Sequence, residues 1–176
     1  MSEIRDGYTL RRARPNDTDA ITSLIFRVHD AMPDPSLCSI ASVTPEWVRG
    51  IINERGFVVC AEKDGVLVSI LVVIHPGLTA ENLGYDAGFS EAELKKVIVM
   101  DISVVASEHR GHHLERRMLL FAEQELRNEP YTHYLCTVSP DNAPSLRTVQ
   151  SLGYQVLLTK EKYGGLTRHV LLKEKY

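Results

Sequence analysis

Between Val97 and Arg117 the chain gathers the groups best suited to chemistry. Asp101 sits inside the apolar run Val97-Ile-Val-Met-Asp-Ile-Ser-Val-Val-Ala106, which passes directly into Ser107-Glu-His-Arg-Gly-His-His-Leu-Glu115 and the pair Arg116-Arg117. This is a buried-strand pattern delivered onto the start of an amphipathic helix. A helix start offers N–H groups without intrahelical partners and a partial positive charge, so it can hold a phosphate or diphosphate. Asp101 is an ionisable group in the middle of an apolar strand, where burying a charge is costly without a reason. It is either a general base or substrate-binding carboxylate, or a structural carboxylate satisfied by hydrogen bonds. Strand alternation puts it on one face with Ser103 and Val105 unless a bulge intervenes.

His109, His112 and His113, with Glu108 and Glu115, have the ligand types that suit zinc or iron. Their spacing argues against a shared ion, because adjacent helical residues such as 112 and 113 diverge by about 100°. The histidines are therefore expected to face solvent or phosphate, with no metal bound. Arg116 and Arg117 read as a solvated helix face from which one could reach a further phosphate. Tyr85, Cys136, Ser139 and Tyr163 are secondary candidates as polar groups near a cleft.

These residues need a frame. Tyr8–Ala13 alternates as a strand, and Asn16 or Asp17 can cap a helix with Ile21, Leu24, Ile25 and Val28 on one face. Thr44-Pro45 opens a second short helix to about Arg55. The runs 57–62 and 66–74 flank Asp64-Gly65, a strong hairpin signal. A long Gly-rich connection from His75 to Phe89 precedes a capping-box candidate, Ser90-Glu-Ala-Glu93. The strand at 97 follows, then a helix from about Gly111 to Asn128 with Leu114, Met118, Phe121, Ala122 and Leu126 as its stripe. A strand over 131–138, a helix over 144–152 ending at Gly153, and a hairpin of 154–163 with 167–173 complete the order. The strand-helix-strand unit from 97 to 138 requires a right-handed crossover with parallel strands, whereas the hairpins make the remainder antiparallel. The expected fold is α/β: a mixed, mostly antiparallel twisted sheet with one parallel splayed pair and helices on both faces.

Val105-x-x-Glu108-x-Arg110-Gly111 leading one helix, and Asn142-x-x-Ser145 leading another that closes on Leu152-Gly153-Tyr154, make the sequence resemble the GNAT superfamily of acyl-CoA-dependent N-acetyltransferases. The element order agrees. The resemblance implies that acetyl-CoA is the co-substrate and that the backbone at Ser103, Val104 and Val105 meets the acyl group and pantetheine arm. It implies that Arg110, Gly111, His112, His113, Leu114, Glu115 and Arg116 wrap the pyrophosphate. The family's Arg/Gln-x-x-Gly-x-Gly/Ala turn reads Arg110-Gly-His-His113-Leu-Glu115 here, so both later small positions have changed. Asn142 and Ser145 correspond to residues that meet the cofactor arm, although Asn142 serves equally as a helix cap. A tyrosine acid in the last helix is common in the family, and its position here is Val149. Family members often use a carboxylate or water as base, and Asp101, mid-strand in its apolar run, is the most credible base here.

The bulk of the sequence is consistent with this. Its 176 residues, 44% hydrophobic and 24% charged, suit one globular domain spanning 1–176. A net charge of -3 gives no field for a polyanion, so nucleic acid is not an expected partner. Neither an apolar leader nor a run approaching roughly 18 apolar residues is seen, so a cytoplasmic protein away from membranes is expected. Cys38, Cys60 and Cys136 read as reduced thiols. The acceptor is expected to be a small-molecule amine or a peptide, bound by the poorly patterned segments 29–45, 76–90 and 159–168. Asp30, Asp34, Glu81 and Asp86 there could attract a cationic amine. Two other readings stay open: a non-catalytic acyl-CoA-binding or regulatory module, and a metal-dependent hydrolase or metal sensor built on the histidines. A homodimer joined at a sheet edge also stays open.

Overall fold

The computed structural model describes residues 3–175, so Met1, Ser2 and Tyr176, which the leader and domain readings include, lie outside the described residues. An eight-stranded sheet runs through the molecule in the order β1-β2-β3-β4-β5-β6-β8-β7. Its strands are β1 (Glu3–Arg5), β2 (Tyr8–Arg12), β3 (Gly56–Lys63), β4 (Val66–Ile74), β5 (Val97–Val105), β6 (His133–Val138), β7 (Gln155–Lys162) and β8 (Leu166–Glu174). The helices are α1 (Thr18–Asp30), α2 (Pro45–Gly50), α3 (Glu91–Leu94), α4 (Leu114–Glu125) and α5 (Ala143–Ser151). Every neighbouring pair is antiparallel except β5 with β6, which run parallel as the crossover demands. This is the mixed sheet expected from the sequence, with β1 added at its edge. No helix among the described residues is long and apolar enough to cross a membrane.

Each sheet face buries its own core. On one face α4 lays Leu114, Met118, Phe121 and Ala122 against Phe57, Val59, Leu71, Val73 and Met100. On the other, Ile21, Leu24, Ile25 and Val28 of α1 and Val48 of α2 cover Val58, Cys60, Ile70, Val72 and Ile74. Full burial of such a side chain contributes roughly 1.5–3 kcal/mol, so the sheet is a stiff platform. Local signals behave as their chemistry requires. Thr44 caps α2 by accepting from the Trp47 N–H at 3.0 Å, and Ser90 with Glu93 forms the capping box of α3. Asp64 and Gly65 adopt φ of 52° and 76°, the left-handed pair of a tight hairpin turn.

Two features of β5 position the site. Its register against β4 steps from Leu71↔Ser103 to Val73↔Met100, so Asp101 and Ile102 together oppose Val72 in a β-bulge. Inward alternation changes parity there: Val97 and Val99 share the α1 core with Ile102 and Val104, whereas Ile98 and Met100 lie in the α4 core. The intervening bulge thus replaces the uninterrupted alternation otherwise expected around Asp101. Second, β5 pairs with β6 only at Val97↔His133, Ile98↔Tyr134 and Val99↔Leu135. Beyond Val99 the two strands separate, because β6 stays in register with β8 along its whole length from His133 to Val138. The β6-facing edge of β5 past Val99 therefore has no strand beside it.

Candidate active site

A cavity of about 220 Å³ opens where β5 and β6 diverge. It passes from one sheet face to the other, from Met32, Trp47 and Leu83 on the α1–α2 side to Leu119, Cys136 and Val149 on the α4–α5 side. Asp101 and Ser103 line its middle, and Glu115, Asn142 and Ser145 line its α4–α5 end. The expected acceptor segments converge at the opposite end: 29–45 through Leu37 and Cys38, 76–90 through Ala80 and Glu81, and 159–168 through Tyr163 and Arg168.

Asp101 is largely buried, and burial pushes its carboxyl up to about 6, with the Arg55 charge partly opposing the shift. Among the described residues its carboxylate makes no hydrogen bond to a side chain or to the backbone. The Cys136 thiol, buried in the same cavity, is pushed far up from its ordinary value, which leaves it a neutral and poor nucleophile. Tyr163 does reach the cavity, its hydroxyl 3.0 Å from Thr137 Oγ1. Tyr85 turns away and donates to the Leu78 carbonyl, while buried Ser139 accepts from the Asp141 N–H in a turn.

The helix mouth differs from the sequence expectation in where it begins. Ser107–His109 forms a short 3₁₀ turn, and α4 begins at Leu114 rather than Gly111. Gly111 at φ 84° and His113 at φ 57° turn the chain between them. A non-glycine residue in the left-handed region costs about 1 kcal/mol, so His113 is held there by its surroundings. Among the described residues no hydrogen bond is assigned to the N–H groups of 111 to 116; the first one engaged is Arg117 N–H, bonded to the His113 carbonyl at 3.0 Å. Together with the helix dipole, N–H groups so placed have the chemistry to receive an anion.

Side chains around this mouth take distinct directions. Arg110, Gly111, His112 and His113 are exposed and Arg116 is partly so, while Leu114 is buried in the α4 core and can offer only its N–H. Val104 likewise points into the α1 core, leaving only its backbone at the open edge. His112 lies with its ring 5.2 Å from that of Tyr8, and His109 Nδ1 is 3.0 Å from the Tyr8 hydroxyl. Both histidines thus pack against Tyr8 of β2. Among the described residues no three ligand-type side chains converge on a point that would suit a metal ion.

Glu115 turns inward: its carboxylate reaches across the cleft and accepts from Ser145 Oγ at 2.8 Å. Burial raises its pKa, and the Ser145 bond partly offsets the rise. Asn142 caps α5, accepting from the Ser145 N–H at 3.4 Å, while lining the same cavity. Of the loop carboxylates, Asp86 is neutralised by Lys160 at 2.7 Å and Lys162 at 2.5 Å, and Glu81 pairs with Arg55. Asp34 caps the turn at Ser36 and Asp30 is open to solvent. This correction leaves Asp101 as the carboxylate at the middle of the cavity without an ion-pair partner among the described residues.

Sequence reasoning missed Arg168, a buried cation in the cavity wall. Its signal was alternation, since Arg168 shares an inward face of β8 with Val170, which lies in the α1 core.

The donor set fits coenzyme A: unpartnered N–H groups for a diphosphate, an open strand edge for the amide-bearing arm, and a cavity leading past Asp101. No curated protein sequence matches the chain significantly. Solved structures share its fold. The yncA putative acetyltransferase of Salmonella typhimurium, crystallised with its cofactor acetyl-CoA, is 18% identical, with a TM-score of 0.72 over 96% of this chain and 94% of that one. A GNAT-family acetyltransferase from Streptococcus pneumoniae gives 15% identity and a TM-score of 0.73 over 95% and 98% of the two chains. A ribosomal-protein-alanine N-acetyltransferase from Brucella melitensis gives 18% and 0.71 over 94% and 99%. Residues 26–154 match the model of the acetyltransferase (GNAT) family, and the chain belongs to that family.

Proposed function

We propose that the protein transfers the acetyl group of acetyl-CoA directly to a primary amine. The observation that carries this reading is the edge of β5 left open past Val99, which faces a cavity lined by Asp101 and Ser103 and, from the turn at 111–116, by Glu115. Bound acetyl-CoA supplies an activated thioester whose C–S bond is exchanged for a C–N bond to the acceptor. N–H groups of 111 to 116 hold the diphosphate, with Arg110 and Arg116 flanking it. Backbone along Ser103, Val104 and Val105 pairs with the pantetheine arm, and Asn142 and Ser145 close the α5 side. An N–H on the open β5 edge near the bulge donates to the acyl oxygen.

Asp101 takes the proton that the acceptor ammonium must lose before its nitrogen can attack, and its raised pKa brings it nearer the proton it accepts. Val149 has no proton to give. The second proton that the nitrogen loses as the C–N bond forms goes to the departing sulfur, which leaves as the CoA thiol.

Purified protein should release free CoA thiol from acetyl-CoA when offered amines, amino acids and short peptides, with a product heavier by one acetyl group. Tight acetyl-CoA binding with no turnover on any acceptor would instead leave a non-catalytic acyl-CoA-binding module. The mouth has its own test in Gly111→Val. An added Cβ there meets no atom within 4 Å, so any effect comes from the backbone, whose φ of 84° a β-branched residue resists at a cost of about 1–3 kcal/mol. Acetyl-CoA affinity measured by calorimetry should fall at least about tenfold, with the thermal midpoint lowered by only a few degrees. Unchanged affinity would place the diphosphate elsewhere.

A further inference from the structure

Arg168 is 3% exposed and lines the cavity. Its guanidinium donates to the carbonyls of Thr167 and Ser36, which tie it to β8 and to the turn after α1. Carbonyl dipoles orient a guanidinium but do not neutralise it. Among the described residues no carboxylate lies within ion-pair distance of Arg168. The nearby alternative cation, Lys162, is already spent on Asp86 at 2.5 Å. A buried cation without a counter-anion is expensive, and its fork of donors matches a carboxylate.

Its position relative to Asp101 gives the geometry. Both charges act on the Cys38 thiol and on the Tyr163 hydroxyl, so they flank the same section of the cavity. The Arg168 guanidinium carbon lies 6.0 Å from the Tyr163 ring centroid. The adjoining walls are Met32, Leu37, Trp47 and Leu83, largely apolar, and the buried Trp47 indole N–H has no acceptor. The cavity thus offers an anion for an ammonium, a cation and a spare N–H for an anion, and an apolar wall beside them.

We infer that the acceptor is a free amino acid with a neutral, largely apolar side chain, its carboxylate paired with Arg168 and its amino group presented to Asp101. The acceptor role rests on the transferase reading above, whereas carboxylate recognition by Arg168 is testable on binding alone.

The test compares matched pairs on the wild-type protein: phenylalanine with phenethylamine, leucine with isoamylamine, and arginine with agmatine as a cationic control. The neutral amino acids should exceed their decarboxylated partners in kcat/KM by about 100-fold, because the amine alone leaves Arg168 unpaired. Arg168→Met should remove most of that preference, chiefly through KM for the amino acid. Arg168→Lys should recover part of it. Acetyl-CoA affinity and the thermal midpoint check that each variant is folded, and if Arg168→Met does not fold the wild-type pairs decide the matter. Calorimetry of phenylalanine and leucine, without acetyl-CoA, reads the inference independently of turnover. Binding to wild type that is lost in Arg168→Met or weakened at least tenfold in Arg168→Lys supports it even if no acetyl transfer occurs. Equal use of amino acid and amine by wild type, a preference undiminished in Arg168→Met, or no amino-acid binding to a turnover-inactive wild type would overturn it.

Discussion

Asp101→Asn should lower acetyl transfer by roughly 10²–10³-fold and leave acetyl-CoA affinity within about twofold, since a positioned general base typically contributes on that scale. The carboxylate form is the working one, and burial pushes its pKa up to about 6. In wild type, kcat/KM should therefore rise with pH through about 6 and then flatten, and this acid-side limb should vanish in the variant. Stability should change in the opposite sense. The folded pKa lies above the ordinary aspartate value, so the folded state binds the proton more tightly than the unfolded one. Stability is then lost as pH rises from the ordinary value through about 6, and the burial cost of the charge is fully present above that. Asp101→Asn removes this cost and should stabilise the fold by on the order of 2 kcal/mol at pH 8, discounted for the side chain's partial access to water, with little effect near pH 3.5. Denaturant unfolding at the two pH values checks it. Full turnover with an unaltered pH profile would take Asp101 out of the chemistry.

Glu115→Gln should split binding from turnover. The amide oxygen can still accept from Ser145 Oγ, so the bridge between α4 and α5 is kept while the charge is lost. An ionised Glu115 beside the diphosphate repels it, and removing the charge should tighten acetyl-CoA about 3–10-fold at pH 8, an effect that shrinks as pH falls and the wild-type carboxyl takes up its proton. Turnover at saturating acetyl-CoA should stay within a few-fold, because the thioester lies at the far end of the pantetheine arm from the diphosphate. Tighter binding with kcat preserved distinguishes this from a structural role, which would weaken both. The sign also follows through Ser145→Ala: that bond favours the charged carboxylate, so its loss should raise the Glu115 pKa and extend tight acetyl-CoA binding to higher pH.

The frame was legible because its signals are local. Asp64-Gly65 fixed the β3–β4 hairpin, Ser90 with Glu93 fixed α3, and the 97–138 unit dictated a parallel pair. The same Asp-Gly signal at Asp6-Gly7, with φ of 54° and 76°, turns β1 into β2 and was the available clue to the added edge strand. The bulge at Asp101 was hidden because β5 is apolar on both faces, so no polar alternation records the change of parity. The start of α4 was placed early because Gly111, His112 and His113 fit a helical window by type, while their backbone is set by contacts with Tyr8 a hundred residues away. The inward turn of Glu115 had no local signature either: it depends on Ser145 being carried by α5 to the far side of the cleft. The acceptor end was legible only as an unpatterned region, because its wall is assembled from loops, two of whose four carboxylates, Glu81 and Asp86, are taken up by ion pairs.

A crystal structure with acetyl-CoA bound is the decisive measurement. Diphosphate oxygens are expected within about 2.7–3.2 Å of backbone N–H groups between Gly111 and Arg116, with the thioester beside the open edge of β5 next to Asp101. A diphosphate seated away from that turn, or a pantetheine arm that does not enter between β5 and β6, would contradict it.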